Sequence, residues 1–272
     1  MQGLKEWVPT DVKVKYINSL LKVGFDIVEV GSFVSPKAIP QMKDSEEVLQ
    51  RLDLSGTRSK VMILVVNEKG GKIASKYDTV DYLSFPFSGS ATFLRRNLNA
   101  TFESASSSIL RLVEICHKTG KELIVYLSMS FGNPYGDPWE PEMVLDWAVH
   151  LYNLGIRIIP LSDILGNVTP ERIKAVYNLL IPALPEVDFG FHLHCKAGDH
   201  VDKLETAYNC GVRRFDTVLS GMGGCPMADD VLVGNLNTMD LINYLDGKGI
   251  KHGIDFRKLM ESQIFIPRIT NH

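Results

Sequence analysis

The segment RIIPLSDILGNVTPERIKAVYNLL at residues 157–180 contains one strand, one loop and one helix in succession. RIIPLSD at 157–163 is apolar on both faces, which is typical of a buried parallel strand. Thr169 is a suitable N-cap and Pro170 suits a first helical position, so PERIKAVYNLL at 170–180 is predicted to be helical. The segment therefore predicts one βα unit.

The same pattern recurs along the chain, where apolar runs alternate with amphipathic helical stretches. The helical spacing and the closing glycine are clearest at 12–24 and at 106–120. Besides 157–163, the predicted strands are DIVEVG at 26–31, KVMILVV at 60–66, TVDYLSFPF at 79–87, ELIVYLSMS at 122–130, VDFGFHLH at 187–194 and RFDTVLSG at 214–221.

These units predict an α/β fold, a (β/α)8 TIM barrel formed as one domain over 1–272, with a C-terminal helical extension over about 236–272. Seven parallel strands leave two unpaired edges where eight would close a barrel, so we expect the first strand to lie upstream of Met1. An open doubly wound sheet is the alternative. Such sheets usually carry a glycine-rich phosphate turn after the first strand, and the sequence has none there.

Composition narrows the classes of function. The chain has 272 residues, 45% hydrophobic and 22% charged, as expected of a soluble globular enzyme. A net charge of −3 and a pI near 6.2 argue against nucleic-acid binding and favour small-molecule partners. No apolar run approaches the roughly 20 residues of a membrane span, and the first residues lack the apolar core of a signal peptide. We therefore expect a cytoplasmic protein that binds no membrane.

Two histidines carry the strongest chemical signal. Alternation along VDFGFHLH places His192 and His194 on the same face of the strand, at its C-terminal end. Barrel active sites form at that end, and paired imidazoles there are a metal-ligand arrangement. Two structural histidines are the alternative, since a lone neutral histidine is satisfied by a hydrogen bond in the core.

Acidic and amide residues follow other strands. Asp163 ends one predicted strand and Glu29 lies near the end of another, where carboxylates can act as bases or orient a ligand. Either one could instead cap the following helix. Asn235 in VGNLNTMD is likewise a capping candidate, or its side-chain oxygen could bind a hard divalent ion.

The four cysteines form no C-x-x-C pair, so neither a zinc knot nor a disulfide framework is indicated. Cys225 lies in SGMGGCPM after the last predicted strand, where flanking glycines predict a flexible lid over the barrel mouth. An incidental cysteine in a glycine-rich turn is the alternative. Cys116 and Cys210 fit packing roles in helices, and Cys195 is expected to point away from the face that His194 shares.

Several motifs resemble those of the 3-hydroxy-3-methylglutaryl-CoA lyase family, which belongs to the metal-dependent lyase and Claisen-type barrel superfamily. The likeness runs nearly end to end. It rests on VEVGSFVSPKAIPQM at 28–42, FGNPYGD at 131–137, IPLSDILGNVTP at 159–170, FHLHCKAG at 191–198, SGMGGCP at 220–226 and GNLNTMDLINYLDGKGI at 234–250.

The resemblance implies retro-Claisen cleavage of an acyl-CoA to acetyl-CoA and acetoacetate with Mg²⁺ or Mn²⁺ bound, in an enzyme that forms a homodimer. It implies that His192, His194 and Asn235 are metal ligands and that Asp163 or His192 takes the hydroxyl proton. Cys225 would donate a proton to the acetyl-CoA enolate. The same resemblance implies that Glu29 is a supporting acid. It also implies that three further residues contact the substrate, namely Ser32, Ser35 and Lys37.

The chain departs from the family at three points. Only Met1 and Gln2 align with the end of the family's Arg-Asp-Gly-Leu-Gln strand, so we expect the metal-binding Asp and the enolate-stabilising Arg upstream and weak turnover without them. Cys195 stands where the family has an Asp after its His-x-His, and Met239 stands where it has an acid.

Two alternatives follow. The first is a related synthase or hydroxy-ketoacid aldolase, because those enzymes also have the His-x-His strand, although the GGCP segment argues against this alternative. The second is a metal-free, catalytically impaired barrel that serves as a binding partner.

Overall fold

The structure is a computed structural model that describes residues 1, 4, 6–196, 198–223 and 233–270. These residues pack as two compact units. The first comprises Met1–Ser84, Glu114–Glu122 and Ile250–His272, and the second comprises Phe85–Val113 and Leu123–Gly249. The prediction of a single domain stays a prediction.

Strands and helices alternate along the described chain. The strands are β1 (Ile27–Ser32), β2 (Lys60–Leu64), β3 (Tyr82–Ser88), β4 (Glu122–Ser128), β5 (Ile158–Asp163), β6 (Asp188–Leu193) and β7 (Arg214–Asp216). The α-helices are α1 (Thr10–Leu21), α2 (Ser45–Gln50), α3 (Glu68–Ala74), α4 (Ala91–Leu98), α5 (Phe102–Thr119), α6 (Pro141–Asn153), α7 (Pro170–Ala183), α8 (Val201–Asn209), α9 (Thr238–Gly247), α10 (Phe256–Gln263) and α11 (Ile266–Thr270).

The strands form a parallel sheet in chain order, from β1 to β7. This order confirms the predicted succession of βα units. The last strand is shorter than predicted, because β7 ends at Asp216 and the residues Leu219–Gly221 form a 3-10 turn instead. Within the described chain, no helix is both long and apolar enough to cross a membrane.

The βα unit formed by β5 and α7 lies within the second compact unit. All six residues of β5 are buried. The Thr169 side chain caps α7 by accepting a hydrogen bond from the Arg172 amide, and Pro170 occupies the first turn. One face of α7 is fully buried, and its Tyr177 hydroxyl donates to the Gly190 carbonyl of β6 at 2.8 Å. The helix therefore holds β6, the strand at whose C-terminal end both histidines lie.

The first unit has its own buried contacts. Helix α1 packs beside α10, and the rings of Tyr16 and Phe265 lie 6.3 Å apart. Lys13 on α1 is buried, and its ammonium donates to Asp44 at 2.8 Å. Burial lowers the pKa of this lysine. The ion pair with Asp44 offsets part of that desolvation cost.

Candidate metal centre

His192 in β6 and His194 just after the strand come together as their spacing predicts. The Nε2 atoms of His192 and His194 are 3.3 Å apart. His194 is buried, whereas His192 is partly accessible. Both imidazoles therefore meet at the C-terminal end of one strand, and their role as metal ligands stays a prediction.

Each ring has an acceptor at its other nitrogen. The Nδ1 atom of His192 lies 3.1 Å from Oδ2 of Asp216, and the Nδ1 atom of His194 lies 3.2 Å from the carbonyl oxygen of Val233. A carboxylate and a carbonyl can only accept, so both Nδ1 atoms carry the proton in the neutral rings. The two Nε2 lone pairs then face each other.

The protonated, positively charged form of the buried His194 ring is disfavoured. Burial, and then the neighbouring His192, lower the pKa of His194 to about 4. His194 is therefore neutral at pH 7 and has an electron pair to give to a cation.

A third polar group lies beside the pair. The Cys195 amide donates to the Gly234 carbonyl and the Leu236 amide donates to the Leu193 carbonyl, so the segment 234–236 runs next to the end of β6. Asn235 pairs with His194 in this bridge. Its Nδ2 donates to the Met222 carbonyl at 3.0 Å, which leaves Oδ1 as the atom suited to a hard cation.

Two glycines of the SGMGG segment have a packing reason to be glycine. Gly221 and Gly223 both have positive φ, and a Cβ on either would lie 2.9 Å from the Asn235 carbonyl and 3.2 Å from its Nδ2, respectively. Close approach of the backbone to Asn235 thus accounts for these two positions. Gly224 and Cys225 lie outside the described residues, so the lid and the cysteine's role stay predictions.

Asp163 is buried at the end of β5, and both of its carboxylate oxygens are engaged. Oδ1 accepts from the Gly166 amide at 3.1 Å and Oδ2 accepts from the Val168 amide at 3.0 Å. Burial raises the pKa of Asp163, while these amides and Lys203 oppose the shift. Asp163 thus holds the β5–α7 loop and does not cap a helix, and its role as a base stays a prediction.

The remaining predicted residues lie in the first unit. Glu29 is exposed in the middle of β1 and accepts from the Ser84 hydroxyl at 3.0 Å. Ser32 is buried at the end of β1, and among the described groups its Oγ has no hydrogen-bond partner. Ser35 and Lys37 are exposed in the following loop, where the Lys37 amide donates to the Ser35 Oγ. Their roles stay predictions.

The described cysteines are poor nucleophiles. Cys116 packs inside α5, where burial raises its pKa to about 12. Cys195 is buried, and its pKa is raised by that burial to about 11. Cys210 ends α8, with its pKa also raised by burial. These thiols are protonated at neutral pH, as expected of packing residues.

Sequence reasoning missed Asp216. In the parallel register of β6 and β7 it lies directly beside His192. The signal was the RFD of 214–216, one strand after the histidines. It could be recognised only by aligning the two strands.

The donor set fits a divalent ion. Two nitrogens bound to one ion at about 2.1 Å each lie roughly 3–3.5 Å from one another, and the Nε2 atoms here are 3.3 Å apart. Their Nδ1 contacts to a carboxylate and a carbonyl are those of metal-bound histidines. No three His, Cys, Asp or Glu side chains of the described chain converge on a metal position, so the third protein ligand would be the Asn235 amide.

Comparison with known proteins identifies the family of this chain. The HMGL-like family profile matches residues 1–266. The chain belongs to the HMGL-like family. Over all 272 residues this HMGL-like chain is 32% identical to the cytoplasmic 3-hydroxy-3-methylglutaryl-CoA lyase of Rattus norvegicus, covering 78% of that protein. It is equally 32% identical to the mitochondrial hydroxymethylglutaryl-CoA lyase of Bos taurus, covering 82% of it.

Solved structures agree with this HMGL-like assignment. An HMG-CoA lyase from Brucella melitensis superposes with a TM-score of 0.92 at 28% identity, over 100% of this chain and 95% of that one. An HMG-CoA lyase from Acinetobacter baumannii, in complex with coenzyme A and 3-methylmalate, gives 0.90 at 31% identity, over 100% and 88% of the two chains.

Proposed function

We propose that this chain is a divalent-metal-dependent carbon–carbon lyase that cleaves 3-hydroxy-3-methylglutaryl-CoA, or a similar 3-hydroxyacyl-CoA, to acetyl-CoA and acetoacetate. The observation that carries the proposal is the pair of Nε2 atoms, 3.3 Å apart, on two rings whose Nδ1 atoms each face an acceptor. Membership of the HMGL-like family supports the reaction type.

His192, His194 and Asn235 would hold Mg²⁺ or Mn²⁺. When bound, the ion supplies Lewis-acid polarisation of the substrate's oxygen atoms. The two imidazoles would give it nitrogen ligands, and Asn235 would contribute an oxygen while its Nδ2 donates to the Met222 carbonyl. Low exposure of His194 keeps water from one side of the centre.

The reaction needs one proton removed and one delivered. The tertiary hydroxyl loses its proton, the bond between the hydroxyl-bearing carbon and the thioester's α-carbon breaks, and that α-carbon gains a proton to give acetyl-CoA. With Nδ1 on Asp216 and Nε2 facing His194, where the ion would bind, His192 would have no nitrogen left for the first transfer. We therefore take His192 as a ligand and not as the base.

Other roles are carried by the family likeness alone. Cys225 would deliver the proton to the α-carbon, and Asp163 remains the candidate base despite its two amide contacts. Glu29, Ser32, Ser35 and Lys37 would contact or support the substrate. A homodimer in the cytoplasm is part of the same proposal, although relatives carry both cytoplasmic and mitochondrial names.

The test is acetyl-CoA release from 3-hydroxy-3-methylglutaryl-CoA, followed with citrate synthase in the presence of Mn²⁺ or Mg²⁺. We expect release that stops on adding EDTA and that is absent from a His192→Ala, His194→Ala double variant. Release that persists in the double variant would overturn the proposed centre. Condensation of a 2-keto acid with acetyl-CoA, without cleavage, would instead favour the synthase alternative.

A further inference from the structure

The registers of β6 and β7 bring a carboxylate against one of the two histidines. His192 lies opposite Asp216, and two residues earlier Gly190 lies opposite Arg214. Because side chains on a strand alternate, Arg214 and Asp216 share one face of β7. A Cβ on Gly190 would lie 2.8 Å from Cδ of Arg214, so the glycine makes room for that side chain.

The carboxylate has two favourable neighbours. Asp216 Oδ2 is 3.1 Å from Nδ1 of His192, and the Asp216 charge also interacts with the Arg214 guanidinium. Arg214 is itself anchored, because its Nε and Nη2 donate to Asp188 at 2.8 and 2.6 Å. A carboxylate accepts hydrogen bonds and donates none, so Asp216 takes the hydrogen bond from His192 Nδ1.

We propose that Asp216 is a positioning residue that fixes His192 in its Nδ1-protonated tautomer and thereby presents Nε2 as an electron-pair donor. Without this acceptor, the ring can place its proton on Nε2, which would put an N–H between the two histidines and block a cation. The edge of Tyr126 against His192, with centroids 5.5 Å apart, restricts the ring further.

Asp216 makes the two histidines unequal. His192 has a charged acceptor behind it, whereas His194 has the neutral carbonyl of Val233. A hydrogen bond to a charged group is the stronger of the two, and it increases electron density on the imidazole. His192 is therefore the ring whose donor strength depends on a single side chain.

Two variants test the assignment, which rests on the proposed metal centre only for its second readout. Nitrogen-15 NMR of the metal-free protein reports which ring nitrogen of His192 carries the proton. We expect Nδ1–H in the wild type and a mixture with Nε2–H in Asp216→Ala. Mn²⁺ affinity, measured by electron paramagnetic resonance of the free ion, should fall about 10- to 100-fold in Asp216→Ala. Asp216→Asn should lose less Mn²⁺ affinity, because its amide oxygen can still accept the hydrogen bond from His192.

Asp240→Asn is the matched control, because Asp240 faces Nδ1 of another histidine, His200, at 3.5 Å. It should alter neither the His192 tautomer nor the Mn²⁺ affinity. An Nε2-protonated His192 in the wild type, or a folded Asp216→Ala with wild-type tautomer and affinity, would overturn the proposal. If no variant binds Mn²⁺ and the tautomer still depends on Asp216, the positioning role stands and the proposed lyase function falls.

Discussion

The carboxylate of Asp163 holds the amide of Gly166 by a 3.1 Å hydrogen bond. Gly166 in turn packs against the end of β6, where a Cβ on it would lie 3.1 Å from the His194 carbonyl and 2.5 Å from Cγ1 of Val233. Val233 supplies the acceptor for the His194 ring. Asp163 is thus connected to the candidate centre through the loop that it fixes.

Replacing Asp163 with Ala should lower the free energy of unfolding, because the Gly166 and Val168 amides lose their acceptor. Each buried amide left unsatisfied costs roughly 1–3 kcal/mol. Urea unfolding monitored by circular dichroism measures the loss. The control is Glu261→Ala, whose exposed ion pair with Arg257 should contribute about 0–1 kcal/mol. Equal losses in the two variants would contradict the role given to Asp163.

Gly166→Ala should destabilise the protein more than Gly198→Ala. Both glycines have positive φ, but a Cβ on Gly198 meets none of the described residues within 4 Å, whereas one on Gly166 meets Val233 at 2.5 Å. Left-handed backbone strain alone costs about 1–2 kcal/mol, and overpacking adds roughly 1–3 kcal/mol. Mn²⁺ affinity should also fall only in Gly166→Ala, because Val233 must move. Thermal unfolding and Mn²⁺ titration of both variants check this.

The variants Asn235→Ala and Asn237→Ala distinguish a metal ligand from a helix cap. Asn237 caps α9 by accepting from the Met239 amide at 3.1 Å, so its loss should cost about 1 kcal/mol of stability and leave Mn²⁺ binding intact. Asn235→Ala should weaken Mn²⁺ binding by more than the roughly 10-fold that is typical of losing a residue that only contacts a metal ligand. Calorimetric titration with Mn²⁺ gives both affinities. A reversed order of effects would remove Asn235 from the ligand set.

Saturating Mn²⁺ should raise the melting temperature of the wild type, because an ion that binds only the native state adds about 2.7 kcal/mol at 100 times its Kd. EDTA should reverse the rise. The rise should be absent in His194→Ala, which removes one ligand of the pair. His117→Ala is the control, since this exposed histidine lies in the last turn of α5, far along the chain from β6, and should respond as the wild type does.

Much of the fold was predictable because its signals are local. Apolar β-branched runs, the Thr169 cap and the Pro170 start depend on near neighbours in the chain, and the structure confirms each. The meeting of His192 and His194 was equally predictable, because alternation along one strand is a local property. The weakest prediction was the last strand, where a non-glycine left-handed residue, Ser220, lies in the turn that follows β7.

What the sequence by itself determined is therefore the series of βα units, the two imidazoles on one face and the family. The tertiary structure alone decided that Asp216 lies behind His192, that Asp163 gives its oxygens to loop amides, and that Gly221 and Gly223 close on Asn235. These contacts join separate segments, and their partners are chosen by strand register and backbone approach. Neither quantity is encoded in the spacing of residues within a single segment.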